Sequence, residues 1–353
     1  MSGPRHRGGA VGAADVVEDR WREIHEATLI VDGLDCSRPT EAYAAKLRAA
    51  GVGCVHLTVE DQDSRGGIHP FVAVHELLDR PGSSFRLART AAEIERAHAV
   101  GLIALVLGWQ GADPVNVEHG TLRAYFELGL RITGITYNIA NRYGGGCLAP
   151  GMGLTDDGRA LVDQVNRLGM LLDVGGHSGE RTSLEAIERS GGRPVICSHT
   201  GLAAVNHNRR NTSDAVCEAI ARSGGVVGVL ALSDFMARSP ANAARPVTPT
   251  APLERMLDHL DHLRRLVGPD HVGLGPDFAE GLDPDAPGAW PGTRFEPDMV
   301  SAAGASAYVR GFESIDRLPA VTRGLLARDW PAADVRKALG ESWLRVYRAA
   351  WGA

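Results

Sequence analysis

Along this chain, short apolar runs alternate with stretches whose apolar residues recur every three to four positions, the periods of buried strands and amphipathic helices. Eight runs read as strands, at 28–35, 53–60, 102–110, 131–138, 170–177, 194–199, 225–232 and 271–277. Helical periodicity fills 41–50, 117–128, 156–168, 180–190, 214–223 and 252–266. Thr155-Asp156-Asp157 and Thr212-Ser213-Asp214 supply side-chain oxygens that can cap free amides at helix starts. Strand and helix repeated eight times predict an α/β fold, a (β/α)8 TIM barrel. Two longer connections, 61–99 and 277–300, break the rhythm. They read equally as lids at the strand carboxyl ends or as tolerated insertions.

Such a barrel gathers its chemistry where the strands end, and several of these strands end on metal-competent side chains. His56 and Glu60 lie four apart on one face of the second run, and His177, His199 and Asp277 close three others. Imidazole and carboxylate together suit zinc, iron or manganese. Each residue also has a plain reading: a satisfied core histidine for His56, a loop start for Glu60 and His177, a turn residue for Asp277. Gln110, Tyr137 and Asn138 also end strands and can orient a substrate or a bound water or oxygen. Arg209 and Arg210 can clamp an anion or simply lie in solvent. The sequence leaves open whether Asp32, Asp35 or His207 joins the site.

Composition narrows the classes. The 353 residues are 44% hydrophobic and 23% charged with a net charge of -6 and no basic block, which argues against nucleic acid. No apolar run approaches the roughly 20 residues that span a bilayer. Residues 1–20 read as a disordered lead-in and 21–353 as a single barrel domain. Five cysteines, mostly in strand-like or helical runs, read as buried thiols of a reducing compartment, so the expected location is cytoplasmic. The runs Gly144-Gly145-Gly146 and Gly66-Gly67 match neither phosphate-loop pattern, and there is no Gly-x-Ser-x-Gly.

Segment 154–173, Pro194-Val-Ile-Cys-Ser-His-Thr200, Arg209-Arg-Asn211, Val272-Gly-Leu-Gly-Pro-Asp-Phe278 and the tail 337–346 resemble the renal (membrane) dipeptidase family, a metal-dependent barrel group. The resemblance runs from about Leu29 to Tyr347. It implies a two-metal site, and the chain departs from that site. The family's first-strand Asp-Gly-His-Asn-Asp reads Asp32-Gly33-Leu34-Asp35-Cys36, and its bridging Glu falls at Gln110. Its fifth-strand His falls at Gly176, one place before His177, and its substrate-binding His at Tyr137. His199, Arg210 and Asp277 match.

Ligands exchanged rather than merely lost make the chain look similar to the TIM-barrel non-haem di-iron monooxygenases. That resemblance implies two iron ions, with zinc the alternative, and dioxygen as co-substrate. It further implies an external electron donor, a bulky, CoA-linked, diterpenoid-like small molecule as substrate, and a place in antibiotic biosynthesis. A homodimer is compatible with it. His56, Glu60, His177, His199 and Asp277 would hold the metals, Gln110, Tyr137 and Asn138 would line the reaction pocket, and Arg210 would bind an anionic part of the substrate. The competing expectations are a zinc-dependent dipeptidase or amidohydrolase-type hydrolase with a modified site, and a non-catalytic barrel.

Overall fold

The structure is a computed structural model and describes residues 13–59, 68–115, 120–237, 250–282 and 307–352. Among the described residues nine strands form: β1 (Ile30–Asp35), β2 (Val52–Thr58), β3 (Phe85–Leu87), β4 (Ile103–Trp109), β5 (Leu130–Thr133), β6 (Leu171–Asp173), β7 (Val195–Thr200), β8 (Val227–Val229) and β9 (Val272–Leu274). All pair in parallel in the order β1-β2-β4-β5-β6-β7-β8-β9, and β3 pairs with the beginning of β4. The ring closes where Asp35 bridges Phe278: Asp277 N–H donates to Leu34 O at 3.0 Å and Cys36 N–H to Phe278 O at 2.7 Å. The expected (β/α)8 barrel is therefore present, and its eight strands are those the apolar runs marked.

Helices follow the strands because each presents an apolar stripe to the ring. The Asp156–Leu168 helix shows how locally this is written. Thr155 Oγ1 accepts from Gly158 N–H at 3.0 Å, two acidic residues occupy the first turn, and Gly169 ends the helix in the left-handed region at φ 71°. Ser213 caps the Asp214–Arg222 helix by position only, since its side chain makes no capping hydrogen bond. The helix expected at 117–128 occupies Thr121–Glu127. The connection expected as a long loop holds the His69–Leu78 helix, β3 and the Ala91–Ala99 helix, and residues 60–67 within it lie outside the described residues. Of the second connection, 283–300 lies outside them too, as do residues 1–12 of the expected lead-in, whose remainder belongs to the Ala13–Glu26 helix.

The barrel floor is closed. Val31, Cys54, Ala104, Leu171, Ile196 and Val226, near the beginnings of their strands, form one apolar cluster with Trp343 and Tyr347 of the Ser342–Trp351 helix. Trp343 Nε1 donates to Leu274 O at 3.0 Å. The tryptophan fits because glycines face it: a Cβ on Gly33 would lie 2.2 Å from its ring and one on Gly273 2.5 Å. With the floor sealed by apolar packing, polar side chains converge at the other end, where the strands finish.

Candidate active site at the strand carboxyl ends

Asp173, the last residue of β6, sets up the site from below. Its Oδ1 accepts Gly175 N–H at 2.9 Å and Ser198 N–H at 3.0 Å. The first bond turns the chain out of the sheet, and the second ties that turn to β7. His177 and His199 are thereby brought face to face, with their Nε2 atoms 3.1 Å apart. Both rings are buried. Burial, reinforced by the positive charge of Arg210, pushes both imidazoles well below their usual pKa, so both are neutral.

Barrel closure supplies the opposite wall. Because β1 and β9 meet, Cys36 Sγ lies 3.5 Å from Asp277 Oδ1, and Asp277 Oδ2 lies 4.0 Å from His199 Nε2. Asp277 holds a left-handed backbone at φ 65°, a conformation that costs a non-glycine residue and that the closing hydrogen bonds maintain. Burial raises its carboxyl to about 7, against the pull of Arg210 and the Cys36 thiol. Burial likewise raises the Cys36 thiol, with the neighbouring Asp277 and Asp35 adding to it.

Gln110 spans the two walls. Its Oε1 is 2.9 Å from His177 Nε2, while its Nε2 is 3.2 Å from both Cys36 Sγ and Thr58 Oγ1. On the far side of the ring, His177 Nδ1 lies 2.7 Å from Asn138 Oδ1. The neutral His177 ring thus has an amide oxygen at each nitrogen and one proton to give, to Asn138 or to Gln110. His177 Nε2, His199 Nε2 and Gln110 Oε1 face one another, three atoms that can each offer a lone pair. That is the environment a cation relieves.

The side chains that could hold metal fall in two halves. The imidazole pair with the Gln110 oxygen forms one, and Cys36 with Asp277 forms the other. Among the described residues no three of His, Cys, Asp or Glu converge on a single point, because each half contributes only two such donors and the group between them is a neutral amide.

Of the expected metal ligands, then, the structure brings His177, His199 and Asp277 together. His56 is elsewhere: its Nδ1 is 2.7 Å from Gly33 O, its Nε2 has no partner, and it lies two residues below Thr58, ~7 Å along the strand. Burial lowers it to about 4. Glu60 lies outside the described residues. Gln110 is in the centre, and Tyr137 stacks on His177 with ring centroids 3.9 Å apart. Asn138 is turned inward to His177 and away from any open pocket. Asp35 is held by the Tyr43 hydroxyl and Ser37 N–H, and Asp32 accepts Leu34 N–H at 3.1 Å. His207 and Arg209 line a crevice of about 260 Å³ with Gly175, Gly176 and Ser213. The residue that sequence reasoning missed is Cys36; its signal was its place in the altered first-strand motif.

Arg210 is 1% exposed. Its Nη2 donates to His199 O at 3.3 Å, its guanidinium lies 5.8 Å from the Phe235 ring centroid, and its Nη1 has no partner. No carboxylate pairs with it among the described residues. Gly176 makes room for it, since a Cβ there would fall 1.8 Å from Nη1.

The sequence profile described as membrane dipeptidase (peptidase family M19) matches residues 37–288. Dipeptidase verJ of Clonostachys rogersoniana is 32% identical over 276 residues, which is 77% of this chain and 62% of that protein's length. An amidohydrolase from Pseudomonas aeruginosa superposes with a TM-score of 0.82 at 27% identity, covering 94% of this chain and 99% of the other. A metallopeptidase from Rhodobacter sphaeroides, solved with a phosphinate mimic of the dipeptide L-Ala-D-Ala, superposes with a TM-score of 0.69 at 21% identity over 92% of this chain and all of the other.

These relatives are named as hydrolases, and they overturn the expectation of an oxidoreductase: the chain is not placed among the monooxygenases or in antibiotic biosynthesis. Iron, dioxygen, a CoA-linked substrate and an electron donor find no support among the relatives, whose family is metal-dependent. No helix among the described residues is long and apolar enough to cross a membrane. By profile match, sequence identity and superposition, the chain belongs to the membrane dipeptidase family, peptidase family M19.

Proposed function

We propose that this protein is a metal-dependent hydrolase that cleaves an amide bond in a small, carboxylate-bearing substrate of the dipeptide class, at a modified form of the family's metal site. The observation that carries the reading is the pairing of two features at one barrel mouth. Two neutral imidazoles face each other across 3.1 Å, and beside them a buried guanidinium has a donor without a partner. His177 and His199 with Gln110 Oε1 would hold one cation, and Asp277 with Cys36 the other. Zinc is the metal that this mix of imidazole, carboxylate and thiol suits. Bound there, it would supply Lewis-acid polarisation of the scissile carbonyl and an acidified water.

The chain's own groups do the rest. Arg210 Nη1 donates to the substrate carboxylate and fixes which bond lies over the imidazole pair. Asp277 would give the second cation the carboxyl oxygen beside Cys36, and its other oxygen, on the His199 side, can take the proton lost by water and release it to the leaving amine. Tyr137, stacked on His177, walls the pocket on the Asn138 side. The neutral Gln110 in the central position withholds an anion that would otherwise help retain two dications, so looser metal binding is the expected consequence.

The reading is tested by loading purified protein with zinc and following release of free amino acid from a panel of dipeptides and N-acyl amino acids. Turnover that disappears with chelation, returns with zinc, proceeds without oxygen and is lost in His199→Ala supports it. A zinc-loaded protein inert toward the whole panel overturns it.

A further inference from the structure

We infer that Tyr308 is a positioning residue for Asp277: its hydroxyl holds the left-handed turn from which the Asp277 carboxylate reaches Cys36. The meaning of this for metal binding rests on the proposed role of Asp277 and Cys36; the geometry stands without it.

In a regular strand the N–H and C=O of one residue face the same neighbour. Asp277, past the end of β9, breaks that rule because its φ is 65°. Its N–H goes to Leu34 O of β1 at 3.0 Å, while its C=O turns the other way. Phe278 returns to β1, its carbonyl accepting Cys36 N–H at 2.7 Å, and Ala279 N–H again faces outward. On that outer side a ladder bond still runs from Ala231 N–H to Pro276 O at 3.0 Å. Beyond it the chain that follows β8 pairs instead with residues 307–310. Val309 N–H donates to Ala231 O and Ser233 N–H to Ala307 O, each at 2.8 Å.

One hydroxyl serves both outward groups. Tyr308 O–H donates to Asp277 O at 3.2 Å and accepts Ala279 N–H at 2.9 Å. A carbonyl only accepts and an amide N–H only donates, so the direction of both bonds is fixed. The phenol oxygen stands where a neighbouring strand would otherwise satisfy these peptide groups. An extended Asp277 would swing its C=O toward β1 and lose the bond. Tyr308 is itself held from two sides. Its backbone bridges Leu232, and its ring packs on Phe278 with centroids 4.6 Å apart. Phe278 in turn meets the buried Phe312 edge-on at 5.1 Å.

The consequence lies in the carboxylate. With this backbone, Asp277 Oδ1 lies 3.5 Å from Cys36 Sγ and Oδ2 lies 4.0 Å from His199 Nε2. A left-handed residue other than glycine persists only where its surroundings hold it. Without the hydroxyl the turn relaxes and the carboxylate leaves Cys36. Loss of a group that orients a ligand costs about 10–100-fold in metal affinity.

The test compares Tyr308→Phe, which removes one oxygen and keeps the ring on Phe278, with Phe312→Leu, which thins the packing beneath and leaves the hydroxyl. The first readout is the crystal structure of each metal-free variant. Asp277 should leave the left-handed region and part from Cys36 in Tyr308→Phe, and should keep both in Phe312→Leu. The second readout is Co²⁺ titration of the full chain, in which thiolate-to-cobalt absorption that is absent in Cys36→Ser reports Cys36. That absorption should need about 10–100-fold more Co²⁺ in Tyr308→Phe and an unchanged amount in Phe312→Leu. A wild-type Asp277 turn in Tyr308→Phe, equal changes in the two variants, or a shifted turn with unchanged Co²⁺ affinity overturns the inference. A shifted turn in Tyr308→Phe, together with no thiolate-to-cobalt absorption in wild-type protein, supports the positioning of Asp277 and overturns the metal-dependent reading instead.

Discussion

Arg210→Met separates substrate recognition from folding. The guanidinium is 1% exposed, pairs with no carboxylate among the described residues, and uses one donor on His199 O at a long 3.3 Å. A buried cation in that state is a folding liability, since no carboxylate hydrogen-bonds it and only the more distant Asp173 and Asp277 offset its desolvation. Methionine preserves the contact with Phe235 and the volume beside Gly176 while removing the charge. The substrate-free variant should therefore be at least as stable as the wild type. Against a substrate carboxylate, the loss is one good charge-assisted hydrogen bond from Nη1, with Nη2 free to contribute a second, or about 1.5–3 kcal/mol. That corresponds to roughly a 10- to 150-fold fall in kcat/KM. The loss should be confined to substrates with a free carboxylate, and their C-terminal amides should be cleaved equally by both proteins. Thermal unfolding of the substrate-free proteins and kcat/KM for each acid–amide pair check both halves. Equal losses on acid and amide, or a variant that unfolds well below the wild type, would refute the reasoning, because the guanidinium would then be serving the fold.

Other perturbations address separate parts of the account. His199→Ala should lower bound zinc and abolish turnover, as read by elemental emission on the same sample. Gln110→Glu would place a carboxylate between His177 and Cys36 and should raise the metal-to-protein ratio retained after dialysis; an unchanged ratio would deny Gln110 its central role. In metal-free protein, burial raises the Asp277 pKa from 3.8 to about 7, so the folded state binds this proton more tightly than the unfolded one. The associated stability is complete below the unfolded value and is lost as pH rises through 7, with an upper bound of about 4 kcal/mol. Asp277→Asn should flatten that slope in urea titrations between pH 4 and 8. Trp343→Ala should cost about 3–5 kcal/mol by opening the barrel floor, visible as a lowered urea midpoint with the slope unchanged.

The barrel was legible because its strands are buried on both faces and so appear as unbroken apolar runs, such as Val195-Ile-Cys before Ser198 and His199. Strand ends were less legible. The run at 170–177 yields a strand of only three residues, because Asp173 captures Gly175 N–H and bends the chain out of the ladder. A carboxylate seeking local amides is invisible to periodicity. His56 has the alternation of a barrel-facing residue, yet alternation says nothing of depth, and it sits a layer too low. Cys36 could not be found by spacing, since its contact with Asp277 spans 241 positions and exists only once β1 and β9 close the ring. The resemblance located Cys36 as a departure; only geometry made it a donor. Ser213 carries a capping residue's identity without the bond, because cap preference is statistical and the side chain has its own surroundings.

The claim on which the account depends is that cations sit between the facing imidazoles. A crystal structure of zinc-soaked protein, with anomalous differences recorded on both sides of the zinc edge, tests it directly. The predicted result is an anomalous peak about 2.0–2.1 Å from both His177 Nε2 and His199 Nε2, with a weaker second peak against Asp277 and Cys36. Crystals in which those two nitrogens remain 3.1 Å apart with no peak between them and Gln110, while zinc is bound elsewhere or not at all, would contradict it.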